Sequence, residues 1–182
     1  MPDRYDSVNT YFLVLEERHK DAIRGFESKS GEQNDFLKDD SLEYAKLNLG
    51  VTYLLFSKEN GKLIAFLTIG MGALKIPKKD TWRFHGRKLK EYPKEPEGFP
   101  TSFPALKIGQ LATHKDEEGK GAGTLLIAFA IQKALEAQKH IGCAYLIADA
   151  KIDKVPWYEK RGFKTYIEKL GGKETVPMYM EL

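Results

Sequence analysis

The residues best placed to do chemistry lie in one short run, Glu118-Gly119-Lys120-Gly121-Ala122-Gly123. Its glycines let the backbone turn tightly and come close to a ligand. The run opens an apolar segment of helical character, Thr124–His140. The unpaired amides of a first helical turn and the positive end of the helix dipole therefore meet at one point. Such a point suits an anion, and the reading taken is a pyrophosphate cradle. The pattern is not Gly-x-x-x-x-Gly-Lys-Ser/Thr, and no Gly-x-Gly-x-x-Gly follows the first strand. Taken alone, the run fits equally well a glycine-rich helix start that binds nothing.

Other reactive residue types are sparse. Cys143, the single cysteine, opens an apolar strand, and no histidine is placed beside it by sequence to activate it. His85 and His140 are isolated, and no metal-ligand spacing occurs. Between Gly70 and Pro104, Lys75, Lys78, Lys79, Arg83, Arg87, Lys88, Lys90 and Lys94 interleave with Trp82, Phe84, Tyr92, Phe99 and Phe103. Basic residues contact phosphates and aromatic rings stack on bases. This excursion, at about 71–104, reads either as a solvated basic loop or as a lid for an anionic partner. Asp80, Glu91, Glu95 and Glu97 dilute its charge.

The elements that must position these residues follow in order. Tyr11–Leu15 reads as a first strand. Ala22, Ile23 and Phe26 have helical spacing, Ser28–Asn34 is a turn-rich break, and Asp35–Leu49 resumes a helix. Val51–Phe56 and Lys62–Ile69 are predicted as a hairpin around Asn60-Gly61. Ala105–Thr113 is a strand leading to the glycine run, with the Thr124–His140 helix after it. Cys143–Ala148 is a strand, and strand, helix, strand implies a right-handed crossover and a parallel pair. Asp149–Asp153 reads as a connection, Asp153 as a cap for a helix over Lys154–Arg161, and Pro156 as part of its first turn. Phe163–Glu168 and Val176–Leu182 are final strands about a Gly171-Gly172 turn.

The 182 residues, with 42% hydrophobic and 30% charged side chains, suit one globular domain over 1–182. A net charge of +3 is too mild to indicate nucleic-acid binding by itself. No apolar run reaches the roughly 18 residues of a membrane span. Met1-Pro2-Asp3-Arg4-Tyr5-Asp6 lacks the basic-then-apolar order of a signal peptide. A cytoplasmic protein with no membrane partner is expected.

The second half resembles the GNAT superfamily of acyl-CoA-dependent N-acetyltransferases. The Glu118–Gly123 run is similar to that family's phosphate loop, Gln/Arg-x-x-Gly-x-Gly/Ala. Ile108-Gly109-Gln110-Leu111-Ala112-Thr113 is similar to its bulged strand beside the pantetheine arm. Trp157-Tyr158-Glu159-Lys160-Arg161-Gly162-Phe163 is similar to its Phe-Tyr-x-x-x-Gly-Phe. The resemblance implies an α/β (α+β) fold with a central mixed sheet of about six to seven strands. That sheet would splay between the fourth and fifth strands, with helices on both faces. It implies acetyl-CoA as co-substrate and no metal. Leu111, Ala112 and Thr113 would lie beside pantetheine, and Gly119, Lys120, Gly121, Ala122, Gly123 and Thr124 would hold pyrophosphate. Glu118 departs from the pattern, because a carboxylate repels pyrophosphate. It is expected to turn toward solvent or a basic neighbour while Lys120 adds positive charge.

The chemistry so implied is direct attack of a primary amine on the thioester. Tyr158 would protonate the leaving thiolate, although a core tyrosine that merely orients the cofactor fits the same sequence. The backbone N–H of Leu111 or Ala112, at the bulge, would hold the oxyanion. No residue announces itself as the base, and His114 and Asp149 read as structural. A closer likeness, through Leu111-Ala112-Thr113, the glycine run, Asp149-Ala150-Lys151 and Tyr158, is to the GNAT-type toxins of toxin–antitoxin pairs. It implies aminoacyl-tRNA as acceptor and a small antitoxin as partner, as the alternative to a small-molecule, peptide or protein amine. A homodimer is compatible with either. A non-catalytic acyl-CoA-binding module is the remaining alternative.

Overall fold

The computed structural model describes residues 5–76, 101–166 and 174–182. Its frame is a seven-stranded sheet of order β1-β2-β3-β4-β5-β7-β6. The strands are β1 (Thr10–Val14), β2 (Val51–Ser57), β3 (Leu63–Lys75), β4 (Ser102–Thr113), β5 (Tyr145–Lys151), β6 (Lys164–Thr165) and β7 (Thr175–Glu181). All neighbours are antiparallel except β4 and β5, which run parallel. The near-continuous apolar character of β2 and β3 has a direct cause: both faces of the sheet are covered. On one face Leu55, Ile64 and Leu67 pack against Leu126, Ile127, Ala130 and Ala134 of α4 (Ala122–Gln138). On the other, Leu54, Phe56 and Phe66 pack against Ile23 of α1 (Lys20–Arg24) and against Phe26, Phe36 and Leu37.

The second helical segment is displaced from the expected Asp35–Leu49, starting at Gly31 and ending at Lys46. It begins with α2 (Gly31–Asp35), widens into a π turn over Phe36–Asp40, and ends as α3 (Ser41–Lys46). The turn-rich break before it is tied down by Asn34, whose side chain accepts from the Ser28 amide at 2.7 Å. At the start of α3 the Ser41 hydroxyl donates back to the Leu37 carbonyl of the π turn at 2.6 Å.

Several predicted boundaries move. Strand pairing continues past Ile69 to Lys75 and starts at Ser102, so part of the expected excursion is a long β3–β4 ladder from Ala65↔Thr113 to Lys75↔Ser102. Leu74, Ile76, Ala105 and Tyr145 form a separate buried cluster that holds this extension. The rest of the basic and aromatic excursion, residues 77–100, lies outside the described residues, as does the predicted Gly171-Gly172 turn. Asp149-Ala150-Lys151 is strand, not connection, because β7 pairs with it through Pro177, Val176 and Thr175. Asp153 is not the cap of α5 (Val155–Glu159). It sits in a preceding turn of 3-10 helix, ion-paired to Lys154 at 3.0 Å, and Pro156 takes the expected place in the first turn of α5.

Helix α5 is pressed onto the start of α4. A Cβ added at Gly123 would stand 2.9 Å from Cζ2 of the Trp157 ring. Gly123→Ala should therefore lower stability by about 1–3 kcal/mol through overpacking. Thermal denaturation checks this, and an unchanged melting temperature would show that the α4–α5 contact yields freely.

Candidate active site

The Glu118–Gly123 run folds as a tight glycine loop that leads into the first turn of α4. Gly119 and Gly121 adopt left-handed φ of 78° and 98°, and Gly121 is the N-cap of α4. Among the described residues no hydrogen bond takes the backbone N–H groups of Gly119, Lys120, Gly121, Ala122 or Gly123. Consecutive free amides at the positive end of a 17-residue helix make a site where negative charge is stabilised. Thr124 differs from expectation, since its amide donates to the Gly121 carbonyl at 2.9 Å. Its hydroxyl remains on the surface of the loop and accepts from Arg161 at 2.9 Å.

The side chains of the loop face away from this role. Glu118 pairs with Lys29, as its charge requires. Lys120 does not offer its charge to the cradle as expected, because its ammonium is bound to Glu117 at 2.8 Å. Glu117 is the buried centre of a network. It also accepts from Tyr5 Oη at 2.6 Å and from Lys62 Nζ at 3.1 Å, while the Tyr5 amide donates to the Lys120 carbonyl at 2.8 Å. Burial pushes the Glu117 carboxyl upward, but the bonds from Lys120, Tyr5 and Lys62 outweigh it and hold the pKa at about 2. Burial and the adjacent Glu117 push the Tyr5 phenol far above its ordinary range.

Strands β4 and β5 pair over Ala105–Ile108 and Tyr145–Ala148 and then part. Beyond that point β4 stays on β3 through Thr113, and β5 stays on β7 through Lys151. The edge of β4 that faces the gap therefore carries Gly109 to Thr113, including Leu111, Ala112 and Thr113. A register shift leaves Gly109 without a partner, between Ile69↔Ile108 and Thr68↔Gln110. The bulge is thus at Gly109, two residues before the predicted Leu111.

On the α2–α3 face the gap opens into a groove of about 520 Å³. Tyr44, Leu47, Leu49 and Met71 form an apolar wall, and Asp40, Glu43 and Asp149 supply carboxylates. Lys107 Nζ reaches Asp149 across the mouth of the gap at 2.8 Å. His114 does not line the groove. It is buried beside Phe26, its Nδ1 accepts from the Asp116 amide at 3.3 Å, and burial pushes its pKa down. Cys143 is buried. Among the described residues no group of three or more His, Cys, Asp or Glu is arranged to hold a metal ion.

Tyr158 lies on the α4 face, edge-on to Trp157 at 4.9 Å and to Phe163 at 5.2 Å. Its pKa is pushed up to about 12 by burial, against a smaller opposing effect of Arg161. The phenol is therefore neutral at physiological pH and keeps a proton to donate. No hydrogen bond to its hydroxyl is present among the described residues.

The sequence over residues 54–165, more than half of the chain, matches the model of the acetyltransferase (GNAT) domain. The chain belongs to the GNAT acetyltransferase family. These are acetyl-CoA-dependent acyltransferases. No curated protein matches the sequence. The fold is similar to that of AtaT complexed with acetyl-methionyl-tRNAfMet, with TM-score 0.73, 16% identity and 95% of each chain covered. It is also similar to AtaTR bound with AcCoA, with TM-score 0.69 and 16% identity over 96% of this chain and 94% of that one. The KacTA–DNA complex gives TM-score 0.68 and 19% identity over 94% and 92%. The mixed sheet, parallel only where it splays, is the GNAT fold.

Within the GNAT frame the predicted residues gather in two places. Gly119–Gly123 present free amides at the start of α4, Thr124 donates its own to Gly121, and Leu111–Thr113 lie on the edge of β4 beyond its pairing with β5. Tyr158 lies in the core on the α4 face, beside Trp157, which is seated against Gly123. Sequence reasoning missed Glu117, whose partners Tyr5 and Lys62 are remote in the chain, and Arg161, hidden as a variable position of the Tyr-x-x-x-Gly-Phe segment.

The Glu117 network makes a pH prediction. A carboxyl lowered from 4.5 to about 2 on folding contributes stability that is complete above about pH 4.5 and lost as pH falls toward 2. Its worth is at most about 3 kcal/mol. Glu117→Gln should lower the melting temperature at pH 7 and flatten the acid limb of the stability curve between those pH values. An acid limb unchanged in the variant would remove Glu117 as its source.

Proposed function

We propose that this chain moves the acetyl group of acetyl-CoA to a primary amine by direct attack. The observation that carries the reading is the parted β4–β5 pair, with an amide cradle on one face and an acid-lined groove on the other. Pyrophosphate would rest on the amides of Gly119 to Gly123. Pantetheine would run along Leu111–Thr113 and satisfy the backbone groups that β5 leaves free, a form of strand addition. The thioester would then lie in the gap, and the amine would come from the groove.

There the carboxylates of Asp40, Glu43 and Asp149 attract the acceptor as an ammonium. One proton must leave the nitrogen before attack. Asp149 is already held by Lys107, so water in the open groove is the better acceptor for that proton. Attack forms the C–N bond and places charge on the carbonyl oxygen, within reach of the free β4 edge. Collapse breaks the C–S bond, and the Tyr158 hydroxyl donates toward the sulfur. A phenol at about 12 is a weak acid beside a thiol near 8.5. Its first contribution is a hydrogen bond to the departing sulfur, with full transfer following as the amine nitrogen gives up its second proton.

A second reading, acetylation of aminoacyl-tRNA with an antitoxin as regulator, has its own support. AtaT, similar in fold, has been solved with acetyl-methionyl-tRNAfMet. The groove here sets an apolar wall beside its carboxylates, which suits an α-ammonium next to an apolar side chain. An acceptor screen with labelled acetyl-CoA, including charged tRNA, separates the two readings.

Acetyl-CoA should raise the melting temperature of the chain, and Gly121→Val, which forces a side chain into left-handed φ, should abolish that shift. Retained binding in this variant would sink the cradle assignment. Tyr158→Phe should lower kcat by about 10²- to 10⁴-fold with little change in acetyl-CoA affinity. Unchanged turnover would leave Tyr158 as a packing residue.

A further inference from the structure

Arg161 occupies a position that an empty helix start does not favour. It reaches the first turn of α4 from the end of α5. Nη2 donates to Thr124 Oγ1 at 2.9 Å, Nη1 donates to the Trp157 carbonyl at 2.8 Å, and the guanidinium lies 3.7 Å over the Trp157 ring. Trp157 is itself seated against Gly123. The guanidinium is thus fixed at the positive pole of a long helix, where a cation is disfavoured. No carboxylate among the described residues forms an ion pair with it, and its buried Nε has no hydrogen-bond acceptor. The lysines around the loop are each paired with a carboxylate, Lys120 with Glu117, Lys62 with Glu117 and with Asp116 at 3.9 Å, and Lys29 with Glu118. Arg161 is not.

An anion resolves this conflict. Placed between the free amides and Arg161, it is attracted by the helix dipole and by the guanidinium together. We propose that Arg161 is the side-chain ligand for a phosphate of the nucleotide end of acetyl-CoA, supplying the charge that Glu118 withholds at the start of the glycine loop. The assignment rests on the acyl-CoA reading of the site. Stacking on Trp157 fixes the plane of the guanidinium, so little side-chain freedom is lost when the remaining N–H groups meet phosphate oxygens. The chain thus keeps a cation at its phosphate loop but brings it from α5 instead of from the loop itself.

The test compares the unsubstituted chain with Arg161→Gln and Arg161→Lys. Calorimetry measures binding of acetyl-CoA and 3′-dephospho-acetyl-CoA. Ligand-observed NMR, suited to weak binding, follows S-acetylpantetheine, which lacks the nucleotide. Arg161→Gln should weaken acetyl-CoA binding about 10- to 100-fold, the range of a charge-assisted hydrogen bond or two. It should leave S-acetylpantetheine binding unchanged and should not lower the melting temperature of the ligand-free chain. Arg161→Lys should recover part of the loss. A loss that persists with the dephospho compound assigns the pyrophosphate, and one that vanishes assigns the 3′-phosphate; either supports the proposal. Equal acetyl-CoA affinity in Arg161→Gln overturns it. So does an equal loss for acetyl-CoA and S-acetylpantetheine with a lowered melting temperature, which would make Arg161 a brace for α5. An unsubstituted chain that binds none of the three overturns the acyl-CoA reading, and this proposal with it.

Discussion

A hydrogen-bond ladder that stops early is the constraint on which the rest of this molecule depends. β4 and β5 share a ladder only from Ala105 to Ile108. Two strands that part in the middle of a sheet leave buried backbone groups without partners, a costly condition unless something else supplies them. The sheet tolerates the break because each strand is held on its other side. β4 continues on β3 to Thr113, and β5 continues on β7 to Lys151. Neither strand is free to swing shut, so the opening is a fixed property of the fold. The bulge at Gly109 sits one residue past the last shared pair and turns the β4 backbone where the strands separate.

Electrostatics at the head of α4 follows a similar economy. Glu117 and Glu118 stand directly before the glycine loop and would repel a phosphate if left unpaired. Glu117 is instead buried among Tyr5, Lys62 and Lys120, and Glu118 is turned to Lys29. The Lys29–Glu118 pair is exposed at both ends and contributes roughly 0–1 kcal/mol. Its value is one of direction, since it takes a negative charge away from the amides. The buried Glu117 network contributes more than that surface pair, and it ties Tyr5 and Lys62 to the loop that bears Gly119 and Gly121.

Much of this was legible in the sequence, for reasons specific to each element. Glycines before an apolar helix mark a turn and a cradle whatever the tertiary contacts, and the strand–helix–strand order around them dictates a parallel pair. The long β3–β4 extension was not legible. Gly70, Gly72 and Pro104 read locally as breakers, and only the buried contacts of Leu74 and Ile76 with Ala105 and Tyr145 make strands of that region. Asp149–Lys151 looked like a connection because its pairing partner, Thr175–Pro177, comes much later in the chain. The family resemblance puts Lys120 among the phosphate contacts, but its capture by Glu117 depends on the folded loop and leaves no mark in the sequence. Arg161 was overlooked for the converse reason. Its importance lies in Thr124 and Trp157, and sequence spacing relates neither of these to phosphate.

The placement of the cradle and the groove on opposite faces of the sheet bears on the order of events in turnover. Two reactants that approach through separate openings do not block one another. On the proposed reading both can occupy the protein at once, and the acetyl group need never be parked on a side chain between visits. Such an architecture suits sequential kinetics through a ternary complex, with intersecting rather than parallel double-reciprocal lines. Because the gap is braced by β3 on one side and β7 on the other, neither reactant has to open it for the other. Geometry therefore imposes no obligatory order of binding.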